Sequence, residues 1–369
     1  MSQALLNTAA PTAVRTELVS VQYLRAVAAL GVVVWHAQGQ MGLAETQVLQ
    51  AGIEIFFVIS GYVMWLILSE RPVSPMTFLK KRIARVVPLY WLLTTLMVGL
   101  LIAAPSLLQS TRFDPAHIVA SYLFIAWPNP VEGVGLKPVM IPGWTLNYEM
   151  AFYGLLAVAL ALKARWRAPL VIGTLCLLSL LSLVPMPPVL HFYASPFMTE
   201  MAMGMGLAIG LKRMPGAWFR FGGPAILLGG GLLLFGASVI DAEANGRLLL
   251  FGVPATILIG GMVMLERAGG LPNIPVLKAI GDASYPLYMI HPVLLSAMAQ
   301  AWRMLYLGDL PAWLYVVAAL AVTLVAGWIV HVTMERPLVA AFRPKARAAR
   351  SPPSPIALGV AATAEDAQP

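Results

Sequence analysis

The chain has 369 residues, 59% of them hydrophobic and 11% charged, with a net charge of +8 and a mean hydropathy of +0.80. A soluble domain carries roughly a quarter of its residues as charges, so this composition excludes a soluble protein. Helices and closed barrels alone satisfy every backbone group in hydrocarbon, and the sequence lacks the ~10-residue alternating segments of a membrane barrel. What is left is an all-α polytopic membrane protein of about ten transmembrane helices.

Residues 1–18 mix Ala, Thr and polar side chains with no basic stretch leading into an apolar one, which predicts an N-terminal cytoplasmic tail and no cleaved signal peptide. Apolar windows long enough to span a bilayer then follow at 19–38, 50–69, 84–104, 144–163, 168–184, 192–211, 222–240, 247–266, 283–303 and 312–335. A shorter stretch, 118–127, suits a re-entrant or interfacial helix inside the longest loop, 105–143. Residues 338–369, rich in Ala, Pro and basic side chains, read as a disordered C-terminal cytoplasmic tail. The unit between the tails, 19–337, is one membrane domain.

Basic residues orient the spans. With both termini inside, nineteen of the 24 lysines and arginines are cytoplasmic; Arg112, Lys137, Arg247 and Arg303 face out, and Arg25 lies within the membrane. This is the positive-inside pattern. It also accounts for the net charge without nucleic acid. A multi-pass protein of the inner (cytoplasmic) membrane is expected.

The first span, LRAVAALGVVVWHA over 24–37, carries Arg25 and His36 with ten residues between them. Eleven steps of 100° place them about 20° apart around a helix and about 16 Å apart along it. Ionisable groups at such depths are costly and functional by default. Topology sets Arg25 toward the cytoplasm and His36 toward the outside, and puts Glu54 and Glu149 in the outer third as well. A carboxylate beside His36 fixes its tautomer and makes it a general base; the competing reading is three separate helix-end groups snorkelling to the interface.

Arg82 and Arg85, three apart on FLKKRIARVVPLYW, are either a positive-inside anchor or a phosphate site suited to bidentate contacts. Ser284, Tyr288 and His291 form a polar stripe on the ninth span, equally consistent with interhelical hydrogen bonding and with a pore lining. Glu200 sits mid-span and needs a partner the sequence does not name. His331 and Glu335 are expected to pair on the cytoplasmic surface, and His117 and His191 to be solvated near external ends.

Five stretches in order resemble the integral-membrane acyltransferase 3 family, the first two of them most closely its exopolysaccharide acetyltransferases. They are Arg25-x10-His36, Gly52-Ile-Glu-Ile-Phe-Phe-Val-Ile-Ser-Gly61, Arg82-x-x-Arg85-x-x-Pro88, Trp144-Thr-Leu-Asn-Tyr-Glu149 with Phe152-Tyr153, and Ser284-Tyr285-x-x-Tyr288-x-x-His291. They cover residues 20 to about 337. The chain has Glu54 where the family commonly has Asp, and it lacks the soluble domain that some relatives add.

The resemblance implies an O-acyltransferase moving an acyl group, usually acetyl, from acetyl-CoA or another acyl-CoA to a carbohydrate hydroxyl, with no metal. Arg25, Arg82, Arg85, Ser284, Tyr285, Tyr288 and His291 are then the donor-binding set, and His36, Glu54 and Glu149 the catalytic set. Transfer is direct or passes through an acyl-histidine. Implied partners are the acyl-CoA, a cell-surface glycan, the bilayer and polysaccharide-assembly proteins. Two further classes compete on the sequence: a transporter or flippase relaying protons through the same carboxylates, and a scaffold subunit of an export complex.

Overall fold

A computed structural model describes residues 18–70, 72–108, 110–240 and 246–342. Of the tails expected at residues 1–18 and 338–369, residues 1–17 and 343–369 lie outside them, and residues 338–342 are helical rather than disordered. Fourteen α-helices follow in order: α1 (Val19–Gln40), α2 (Gly52–Glu70), α3 (Pro75–Ala103), α4 (Pro115–Tyr122), α5 (Trp144–Leu160), α6 (Ala164–Leu181), α7 (Pro188–Tyr193), α8 (Pro196–Arg213), α9 (Gly222–Val239), α10 (Val253–Arg267), α11 (Pro275–Asp282), α12 (Ser284–Met304), α13 (Ala312–Val330) and α14 (Arg336–Phe342). No strand occurs among the described residues.

Each apolar window contains one long helix. Seven of these are long and apolar enough to cross a membrane: those at 19–40, 47–70, 75–103, 164–181, 216–239, 248–267 and 312–342. The other three are α5, which is only 17 residues long, and α8 and α12, whose polar side chains lower their hydropathy. Large apolar side chains such as Leu183, Leu227 and Leu249 cover the periphery at more than 70% exposure, the surface that lipid tails solvate.

Local chemistry sets the helix ends. Ser74, Asp114 and Ser195 accept from backbone N–H groups of the first turns of α3, α4 and α8, each followed by Pro at the first helical position, where a missing N–H costs nothing. The start of α1 has no such cap of its own. Instead the Glu266 carboxylate of α10 accepts from Val19 N at 2.8 Å, Ser20 N at 3.0 Å and Ser20 Oγ at 2.5 Å. That pins the orphan donors of α1 to a helix almost 250 residues away.

α1 is central, touching α2, α10, α11, α12 and α13. Beside it α2 and α8 meet backbone to backbone. A Cβ on Gly61 would lie 1.9 Å from Met201 O, and one on Gly204 2.0 Å from Val58 O. Small residues allow this approach, and dispersion contacts supply the attraction between helices that lipid cannot.

The short helix near 118–127 exists as α4, and it is tucked into the bundle. Tyr90 and Trp91 of α3 donate to Ser121 O at 3.1 Å and Tyr122 O at 2.9 Å. His117 is fully buried, with Nε2 3.0 Å from Lys137 O. Its expected solvation is therefore corrected: the loop folds back over α4 and supplies a carbonyl partner. His191 is exposed, as expected.

Candidate active site

Two cavities open on the face of α1 that carries Arg25 and His36. The larger, about 610 Å³, is lined by Arg25, Arg82, Arg85 and Arg336 and by the carboxylates of Glu149 and Asp282. Ser284, Tyr285, Tyr288, Tyr153 and His331 also line it. The smaller, about 200 Å³, is lined by Val32, Trp35, His36, Gln50, Ile53, Trp144, Phe197 and Arg247. Ile53 is the one residue that lines both. It is held there because Gly52 lets α2 press on α1 midway between Arg25 and His36: a Cβ at Gly52 would meet Ala28 O at 2.6 Å and Val32 Cγ2 at 2.9 Å.

In the large cavity the guanidinium of Arg25 is fixed by Ser284, whose Oγ accepts from Nε at 3.1 Å and Nη2 at 2.9 Å. Two members of the polar stripe of α12, Ser284 and Tyr288, thus face the cavity, and Ser284 also works as interhelical glue. Arg85 lies 3.8 Å from Glu335, and Arg82 packs over the Phe78 ring. Tyr285 donates to Val86 O at 2.7 Å, tying α12 to α3. Glu149 accepts a short hydrogen bond from Tyr153 and stands within electrostatic reach of Arg25, Arg82 and Arg85.

Several expected neighbours part company here. Glu149 faces the arginine cavity, so it does not join His36. Glu54 is fully buried and its Oε1 is taken by Arg247, 2.5 Å from Nη2 and 2.8 Å from Nε; the expected His36–Glu54 pair is not formed. His291 lines neither cavity. Its ring sits 5.0 Å from that of His36, and its Nδ1 donates to Tyr288 O at 2.6 Å. His331 and Glu335, expected on the surface, form a buried pair at 2.5 Å, with Arg336 Nε donating to His331 Nε2 at 3.1 Å. A π-helical turn over His331–Glu335 turns both side chains inward.

His36 needs no carboxylate to set its tautomer. Its Nδ1 lies 2.9 Å from Val32 O, and a carbonyl only accepts. Nδ1 therefore carries the proton and Nε2 keeps its lone pair. The arrangement offers a base with one free nitrogen in a small aromatic pocket, and a surplus of guanidinium groups in the adjoining cavity.

Sequence reasoning missed Arg247, Gln50, Trp35 and Arg336. Arg247 left a signal, since it is one of only four basic residues assigned to the outer side. Glu200 has both carboxylate oxygens buried without a hydrogen-bond partner among the described residues, against Gly252 and within reach of Glu54 and Arg247.

Residues 18–332 match the family model described as an acyltransferase domain, Acyl_transf_3. The chain belongs to that family. It is an enzyme that transfers acyl groups. It is similar to the exopolysaccharide production protein ExoZ of Rhizobium meliloti, 33% identical over 78% of this chain and 89% of ExoZ. It is also similar to the acyltransferase MdmB of Streptomyces mycarofaciens, 27% identical over 87% of this chain and 91% of MdmB. The O-acetyltransferase OatA of Staphylococcus aureus is 29% identical over 46% of this chain and 29% of its own length. No solved structure matches the chain. The motifs that resembled the family thus point to the right one, and two of these relatives, MdmB and OatA, are named as acyltransferases.

Proposed function

We propose that the enzyme takes an acyl group, acetyl in the simplest case, from acyl-CoA in the arginine-lined cavity and passes it to a carbohydrate hydroxyl in the smaller pocket. One observation carries this reading: α1 presents Arg25 to one cavity and His36 to the other, with Ile53 alone common to both. Four arginines suit the nucleotide phosphates, because guanidinium groups bind phosphate bidentately and keep their charge. The rise of about 16 Å from Arg25 to His36 along the helix is on the scale of an extended pantetheine arm.

A sugar hydroxyl is a weak nucleophile. His36 Nε2 takes its proton as the oxygen attacks the thioester carbonyl; the C–S bond then breaks and the same nitrogen returns the proton to the leaving thiolate. Such base catalysis contributes about 10²–10⁴-fold. Ser284, Tyr285 and Tyr288 hold the donor cavity together around Arg25, and His291 packs against the base. Glu149 balances the arginine charge, and Glu54 acts on the smaller pocket through Arg247.

The basic-residue count supports ten spans with both termini cytoplasmic in the inner membrane, so that the donor enters from the cytoplasm and the His36 pocket opens outward. The similarity to ExoZ favours an exopolysaccharide or another surface glycan as acceptor. The test is purified enzyme in vesicles given acetyl-CoA labelled in the acetyl group, with saccharides read by mass spectrometry. Label on a saccharide hydroxyl is expected. Consumption of acetyl-CoA with no acetylated saccharide would overturn the proposal.

A further inference from the structure

His331, Glu335 and Arg336 form a connected group at the wall of the arginine cavity, and only Arg336 enters the proposed transfer. Arg336 Nε donates to His331 Nε2 at 3.1 Å, and His331 Nδ1 stands 2.5 Å from Glu335 Oε2. A guanidinium only donates, so His331 Nε2 holds a lone pair, Nδ1 carries the proton and the imidazole is neutral. Glu335 is buried, and its Oε1 has no hydrogen-bond partner among the described residues. Arg85 Nη1, 3.8 Å from that oxygen, is close enough for attraction and too far for a hydrogen bond.

Three of these groups can meet a ligand. Arg85, Arg336 and His331 line the cavity, and both arginines are exposed, Arg85 to 41% of its side chain. The turn that carries His331 touches α3, which presents Arg82 and Arg85 to the cavity; α1 presents Arg25, and α12 presents Tyr285 and Tyr288. Four guanidiniums against Glu149, Asp282 and Glu335 leave the empty cavity positive, which opposes a further proton on His331. A phosphate group reverses both conditions. Its oxygens can take the Nε–Nη2 edge of Arg336 bidentately, which frees His331 Nε2. An anionic oxygen beside that lone pair is repelled unless a proton lies between them. The imidazolium so formed has Glu335 on Nδ1 and the Trp328 ring 5.7 Å away, and both favour its charge.

We infer that His331 is a proton-coupled phosphate-binding residue: when a phosphate of the donor takes Arg336, one proton from solvent settles on His331 Nε2 and bridges it to a phosphate oxygen, with Glu335 as the fixed counter-charge. The inference rests on the proposed acyl-CoA cavity and adds to it a linkage between donor binding and pH. No covalent bond changes in the step, so CoA, which carries the same phosphates and no acyl group, is the probe.

The experiment is calorimetric titration of the full-length enzyme in detergent with CoA, in buffers of contrasting ionisation enthalpy. At about pH 7 the phosphomonoester of CoA is already almost fully ionised, its second pKa being about 6, so the difference in heat between buffers counts protons taken up by the protein. Wild type should take up about one half to one proton per CoA bound, and its affinity should weaken by up to about tenfold for each pH unit above that. His331→Gln should still bind CoA, about threefold to tenfold more weakly, the loss of one hydrogen bond, with no uptake and a flat pH dependence. Glu335→Gln keeps an acceptor for Nδ1 and removes the counter-charge, so the uptake should fall by about half or more. Equal heats in the two buffers for wild type, or undiminished uptake in either variant, would overturn the inference while leaving the donor cavity standing. The wild-type and Glu335→Gln titrations decide the matter if His331→Gln does not fold. CoA that does not bind wild type would instead defeat the proposed donor cavity, and this inference with it.

Discussion

Replacing Glu54 with Ala tests whether this carboxylate belongs to Arg247 or to His36. The side chain is fully buried and receives two N–H groups of Arg247, the nearer at 2.5 Å. Removing one partner of a buried pair costs about 3–5 kcal/mol, because the other charge is stranded. Arg247 is 27% exposed and keeps Gln50, so the low end applies, about 3 kcal/mol. At roughly 2 °C per kcal/mol for a large chain, that is a fall of about 6 °C in unfolding midpoint. The assay is thermal unfolding of detergent-solubilised enzyme for wild type, Glu54→Ala, Arg247→Ala and the double variant Glu54→Leu/Arg247→Met. The double variant should recover most of the loss, since apolar residues of similar volume often replace a buried pair without penalty. A Glu54→Ala midpoint within a degree of wild type, with activity abolished, would refute the ion-pair assignment and return Glu54 to direct service of His36.

His36→Gln should lower kcat by about 10²–10⁴-fold while acetyl-CoA still binds, checked by single-turnover kinetics and donor affinity. Arg85→Ala should weaken acetyl-CoA binding by about tenfold, the scale of one charge-assisted hydrogen bond, with a smaller dependence on salt; calorimetric titration reads both. Gly61→Ala forces a methyl group onto Met201 O, where the space is 1.9 Å, so α2 and α8 must separate. The yield of monodisperse protein should fall sharply, whereas Gly99→Ala, with open space around it, should leave it unchanged.

The fold was legible where composition and helical period act alone. Each apolar window contains a long helix, and the shared face of Arg25 and His36 follows from their spacing. What hydropathy could not supply was rotation about each axis. Depth placed Glu54, Glu149 and His36 at one level, but α2 and α5 are apolar nearly all round and give no sign of which way a side chain points. In the structure α5 turns Glu149 toward the arginines, and α2 turns Glu54 toward Arg247, 193 residues away. His331 and Glu335 were misplaced for a different reason. A π-helical turn shifts the angular register within five residues, which a 3.6-residue period does not anticipate. Arg247 and Trp35 beside the small pocket were missed because an Arg at a span end and a Trp in an apolar run look like ordinary interfacial anchors.

The single isoleucine between the two cavities has an electrical consequence. A bilayer normally spreads its potential across about 30 Å of hydrocarbon; on the proposed route, with the two cavities open to opposite sides and filled with water, most of that drop would fall on the stretch around Ile53. A unit charge moved past it would cross nearly the whole field, worth about 2.3 kcal/mol per 100 mV. On the proposed route a thioester carries no charge through that point and the phosphates stay with the arginines. The rate of transfer in vesicles should then be indifferent to an imposed diffusion potential, so the enzyme would work across an energised membrane without drawing on its voltage.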